Sequence, residues 1–209
     1  MVVVAEFVDT FAEIKLEALR SLLTAATDAR REASDTLLGP DGHLGPAFFG
    51  VVQVDTLIAE LDKLVVALNA QNEAYWAHVV GAQRVSVSAW VAHHEGRHED
   101  ALRLALEAAD TEEKVEKHPV TPGPLIPARE LYGDILMLHG RPADALLAYE
   151  TTLKREPNRL RTLYGAARAA SSAKQPDVAR RYYEEIVKLV DAKSDRPALK
   201  EASAFLAQK

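Results

Sequence analysis

The chain has 209 residues, with 25 Lys+Arg against 31 Asp+Glu and no cysteine. Without thiols there are no disulfides, no cysteine nucleophile and no thiolate zinc site. A net charge of −6 offers no broad basic field to gather phosphates, so nucleic acid is not expected as a partner. The charge is uneven: residues 1–127 hold 10 Lys+Arg against 20 Asp+Glu, residues 128–209 hold 15 against 11. The opening "MVVVAEF" stops at Glu6 and has no basic leader, and no span reaches the ~20 apolar residues of a membrane helix. A cytoplasmic protein with no membrane partner is expected.

Helical periodicity runs through the chain. Phe7, Phe11, Ile14, Leu19, Leu22 and Leu23 recur at spacings of three and four and predict a helix over about 3–36. "GPDGHLGP", Gly39 to Pro46, reads as a loop. A helix over about 47–70 carries Leu57, Leu61, Leu64 and Leu68 on one stripe, and "NAQNE" breaks it weakly. A helix follows over about 74–94, "EGR" breaks the pattern at Gly96, and Ala101, Leu102, Leu104, Ala105 and Ala108 carry the next helix to about Glu116. "KHPVTPGPLIP" then places four prolines and a glycine between Lys117 and Pro127, which no helix crosses. Further helices are expected over 128–139, 143–155, 159–172, 176–190 and 196–207, and no strand is expected.

Two stretches repeat one another. "EGRHEDAL" and "HGRPADAL" both carry Gly-Arg, two variable residues and Asp-Ala-Leu, with Gly96 and Gly140 44 residues apart. Glycine ends a helix in the left-handed conformation, and Ala101 or Ala145, five residues on, lets the returning helix approach closely. These residues resemble the tetratricopeptide repeat family, whose unit is about 34 residues long. In a unit laid from Ile126 to Arg159, Gly133, Gly140, Ala145, Tyr149 and Pro157 occupy family places. The unit from Leu160 offers Ala167, Ala179 and Tyr183, and that from Ala82 offers Ala89, Gly96, Ala101 and Ala108. The segment "EKHPVTPGPLIPARELYGDIL" also resembles C-terminal parts of larger bacterial tetratricopeptide proteins.

The resemblance implies an all-α chain of antiparallel helical hairpins stacked as a right-handed superhelix, an α-solenoid. Residues 1–80 would be an N-terminal helical region of degenerate repeats or a cap. Residues 81–193 would hold the repeats, with a proline-rich insertion at 117–127, and 194–209 a capping helix. It also implies a concave groove lined by the first helix of each unit. Mapped by place, the groove holds Trp90, His93 and His94, then Glu130, Asp134 and Met137, then Arg161, Tyr164 and Arg168. A protein or peptide is the implied partner, with Arg161 and Arg168 as forked donors for a carboxylate. Chaperone-binding members hold peptide tails with Lys and Asn, whereas the matching places here carry Tyr164, Gly165 and Arg168, which argues against chaperone tails.

Other chemistries compete. His93, His94, His98 and His118 invite a metal reading, with His93 reaching Glu130 and Asp134 across neighbouring units. No HExxH spacing supports it, and no metal or cofactor is assigned. His118, within the insertion, is a candidate binding residue because long irregular loops in compact proteins often carry function. No P-loop, Gly-x-Ser-x-Gly elbow or catalytic order appears, and no catalytic residue is assigned. The leading expectation is a peptide-binding scaffold. The alternatives are a small-molecule or metal-binding protein using the His118 loop and the groove histidines, enzymatic or not, and a structural subunit that self-associates into a homo-oligomer.

Overall fold

A computed structural model describes residues 54–115, 126–191 and 193–207. The helix expected over 3–36, the Gly39–Pro46 loop and most of the proline-rich insertion, His118 included, lie outside the described residues. The chain divides into two compact units, 1–57 and 58–209, and nearly everything described belongs to the second. Among the described residues there are eight α-helices and no strand. They are α1 (Val54–Ala70), α2 (Ala74–His94), α3 (His98–Glu113), α4 (Ala128–Leu138), α5 (Pro142–Arg155), α6 (Leu160–Ser172), α7 (Pro176–Leu189) and α8 (Pro197–Ala207). None of them is long and apolar enough to cross a membrane.

Four of the links between these helices are copies of one turn. Left-handed φ values occur at Asn72 (59°), Gly96 (77°), Gly140 (68°) and Lys174 (60°). In each turn the next residue's N–H donates to a carbonyl five residues back. Glu73 donates to Leu68 and Arg141 to Leu136, both at 2.9 Å, while Arg97 donates to Ala92 at 2.8 Å and Gln175 to Ala170 at 2.9 Å. This satisfies a carbonyl that the helix end leaves without an intrahelical donor. Five residues past each left-handed position stands an alanine: Ala77, Ala101, Ala145 and Ala179. The last three are fully buried and Ala77 nearly so. Pro142 and Pro176 open α5 and α7, where a missing N–H costs nothing because that donor is spare.

Packing follows chain order. α2 lies on α3, α4 on α5, α6 on α7, and each pair meets the next through α3 with α4 and α5 with α6. Alternate helices also touch, α2 with α4 and α4 with α6, and α8 closes against α7. Across the insertion, α3 and α4 are tied by charge and by capping. The Ala128 N–H at the start of α4 donates to Glu112 Oε1 at 2.9 Å, and Arg129 Nη2 reaches Glu113 and Asp110, both at 2.6 Å. Burial pushes the Glu112 carboxyl up, and the Ala128 N–H opposes that.

The core is made largely of methyl groups. Ala166, Ala167, Ala169 and Ala170 of α6 are all fully buried, as are Ala89 and Ala92 of α2. Bulk comes from a few large side chains, chiefly Ile135, Leu136, Leu163, Ile186, Tyr149 and Tyr183. Tyr149 of α5 reaches between α4 and α6. A Cβ at Gly133 would lie 2.7 Å from its Cε1, and one at Gly165 would lie 2.7 Å from its Cζ. Neither helix has room for a methyl there.

Two consequences can be measured. Gly133→Ala should destabilise the fold by up to about 2 kcal/mol, because overpacking of about 1–3 kcal/mol outweighs a helix-propensity gain of about 1 kcal/mol. Gly81→Ala, in α2 with nothing within 4 Å of the added Cβ, should stabilise by up to about 1 kcal/mol. Denaturant midpoints that moved in the same direction for both would contradict the wedge. Separately, Lys174→Gly should raise the melting midpoint, since a lysine at φ 60° bears a strain of about 1–2 kcal/mol that glycine lacks. The flexibility that glycine adds to the unfolded chain should leave a net gain of about 0.5–1 kcal/mol.

Candidate functional site

α2 adjoins α4 and α4 adjoins α6, which brings side chains of the three helices into one region. Its centre is a carboxylate cluster. Glu130 of α4 is fully buried and would be costly as a bare charge. Arg159 Nε donates to its Oε2 at 2.8 Å, Arg161 donates to Oε1, and the buried Thr162 hydroxyl donates to Oε2. One turn on, Asp134 Oδ2 accepts from Arg161 Nη2 at 2.5 Å, and its Oδ1 accepts from the Tyr149 hydroxyl at 2.8 Å. Burial pushes the Asp134 carboxyl above its usual range, although Arg161 and the Tyr149 hydroxyl draw it back. Burial and the Asp134 charge together push the Tyr149 phenol up.

A second cluster joins α6 to the last helix. The Tyr183 hydroxyl donates to Glu201 Oε1 at 2.7 Å, and Tyr164 donates to Oε2 of the same carboxylate. Burial and that hydrogen bond push the Tyr164 phenol up to about 12. Arg168 Nε stands 3.8 Å from Glu201 Oε1, and its guanidinium lies 5.6 Å from the centre of the Tyr164 ring.

The third cluster sits at the edge where the turns are. His93 in the last turn of α2, His98 opening α3 and His139 capping α4 come together. His93 Nδ1 and His139 Nε2 are 3.0 Å apart, so one of the two nitrogens carries the shared proton. Ring centres are 4.6 Å apart for His98 and His139 and 5.0 Å for His93 and His139. Trp90 meets His93 edge-on at 5.9 Å. Burial, then the neighbouring imidazoles, holds both His93 and His139 below the usual histidine range.

The residues assigned from sequence thus divide among three places. Glu130, Asp134 and Arg161 form the central cluster, Tyr164 and Arg168 the second, and Trp90 and His93 the third. Met137 is half-buried, His94 is exposed and is not one of the three histidines brought together, and His118 lies outside the described residues. The pairing of His93 with Glu130 and Asp134 does not form: arginines take both carboxylates, and His93 turns to other histidines. Arg161 and Arg168, assigned to a ligand's carboxylate, already face carboxylates of this chain. Arg159, Thr162 and His139 were not legible as site residues. For His139 a signal existed, since it precedes Gly140 as His98 follows Gly96, around copies of one turn. An open cleft of about 520 Å³ lies elsewhere, lined by Glu150 and Leu153 of α5 and by Arg181, Tyr182 and Glu185 of α7. No family model matches this chain, and no curated protein matches it.

Thr162→Val tests the central cluster without making a cavity. Loss of the hydroxyl should cost about 1–3 kcal/mol, the penalty for under-satisfying a buried charged acceptor. An unchanged denaturant midpoint would show that Glu130 does not depend on that donor.

Proposed function

We propose that the described chain is a tetratricopeptide-like array whose first helices, α2, α4 and α6, form a docking surface for an acidic peptide segment of a partner protein. The observation that carries this reading is the recurrence of one turn at Asn72, Gly96, Gly140 and Lys174, each followed five residues on by a buried alanine. A single hairpin cannot cover its own apolar face, and stacked copies bury it between neighbours. The contacts of α2 with α4 and of α4 with α6 support a stack in which first helices adjoin, and the packing of α8 against α7 supports a capping role for it. Such a stack curves, and its inner face is the surface where extended peptides dock in proteins of this kind.

The chemistry of that surface favours an acidic segment. Glu130 is buried within its arginine cluster and presents no charge outward. Arg168 keeps half of its side chain exposed, with one carboxylate partner at a long 3.8 Å. Ser171 and Ser172 are exposed one turn farther along α6. The guanidinium supplies a forked donor and the hydroxyls supply adaptable ones.

The test is a panel of acidic peptides, read by fluorescence anisotropy against the full chain. Arg168→Glu should weaken the best binder at least tenfold, through lost charge-assisted hydrogen bonds and added repulsion. Lys188→Glu, at an exposed position of α7, should leave it unchanged. A panel without a binder, or one in which both variants behave alike, removes the reading.

A further inference from the structure

We propose that His93, His98 and His139 form a binding site for a divalent cation of the zinc class, joining the α2–α3 turn to the end of α4. Each offers one ring nitrogen, and the three nitrogens lie within 4.8 Å of one another. Around a tetrahedral zinc ion, with Zn–N of about 2.0–2.1 Å, such nitrogens stand about 3.3 Å apart. His93 Nδ1 and His139 Nε2, at 3.0 Å, already span close to that distance. His98 is exposed, so its side chain is free to rotate the remaining ångström or so without disturbing the core. Among the described residues this is the one group of three or more His, Asp or Glu side chains so placed.

The donor set selects the ion. Three neutral imidazoles with neither carboxylate nor thiolate suit zinc, nickel or copper, and disfavour calcium and magnesium, which take oxygen ligands. Three protein ligands leave a fourth position for water or for a side chain brought by a partner. The surroundings also suit a cation. His93 and His139 sit at the C-terminal ends of α2 and α4, where the helix dipoles are negative, against the single N-terminus of α3. Structurally, an ion there ties together helix ends that belong to successive pairs, at the edge away from the Glu112–Ala128 tie. The site is independent of peptide docking, so either proposal stands if the other fails.

The experiment uses the tag-free full chain, stripped with chelator and titrated with zinc chloride by calorimetry. One equivalent should bind with a dissociation constant in the micromolar range or below. At a hundredfold excess over that constant the melting midpoint should rise by roughly 5–10 °C. His98→Gln and His139→Gln should each weaken binding at least tenfold, whereas His94→Gln and His78→Gln should leave it unchanged. His98 is exposed, so circular dichroism should show its variant folded, which separates loss of the site from loss of the fold. The absence of saturable binding, or titrations of His98→Gln and His139→Gln that match the parent, would overturn the assignment.

Discussion

The buried methyl of Ala145, with its counterparts at Ala101 and Ala179, sets how near each returning helix can lie to the one before it. A left-handed residue reverses the chain, a backbone hydrogen bond across six residues fixes the exit angle, and the alanine five positions on permits contact. Everything larger is arranged around that spacing. Helices so close leave no volume for ordinary side chains at facing positions, which is why α6 buries four alanines and why α4 and α6 carry Gly133 and Gly165 against Tyr149. Such a core gives little apolar area per residue, and its few aromatic rings carry a disproportionate share of the burial.

Those rings also fix register. Tyr149 donates to Asp134, Tyr182 to Glu150 and Tyr183 to Glu201, each across to another helix. A stack of alanine faces alone would slide with little penalty, because one methyl resembles the next. A buried phenol whose hydroxyl must meet one carboxylate makes a shifted register leave both groups unpaired. The same logic holds at Glu130, where a displaced α6 would strand a buried carboxylate without Thr162 and its two arginines. Close approach makes the packing compact, and the polar pairs make it unique.

Much of the helical layout was legible in sequence because proline and glycine act locally. The helix expected over 74–94 is Ala74–His94, and those expected over 143–155 and 176–190 are Pro142–Arg155 and Pro176–Leu189. The helix carried to Glu116 ends at Glu113 instead, where its last carboxylates turn to α4. The turns at Gly96 and Gly140 announced themselves, whereas Asn72 was marked only by the weak break in "NAQNE" and Lys174 only by the gap between the helices expected over 159–172 and 176–190. Asparagine enters the left-handed region without comment, and lysine does so only under constraint from the flanking helices. Site residues were harder for a different reason. That Glu130 is buried, that Arg161 crosses to it over 31 positions, and that His93 meets His139 over 46 are facts of helix adjacency, which no local pattern encodes.

Helix adjacency also decides which charges remain available to a ligand. In the central cluster two carboxylates, Glu130 and Asp134, face two guanidinium groups, Arg159 and Arg161, and Glu156 also lies 3.6 Å from Arg159, so the positive charges are neutralised within the chain. A ligand arriving there would have to replace short hydrogen bonds that are partly shielded from water, and would gain little net attraction. At Arg168 the opposing carboxylate is shared with two tyrosine hydroxyls and stands farther away, so the guanidinium keeps more of its field outside the protein. Position along the surface, rather than the count of basic residues, therefore determines where an anionic partner gains from contact. The middle of the proposed surface is a structural stitch, and on the proposed reading the attraction for an acidic segment falls to the end that carries Arg168.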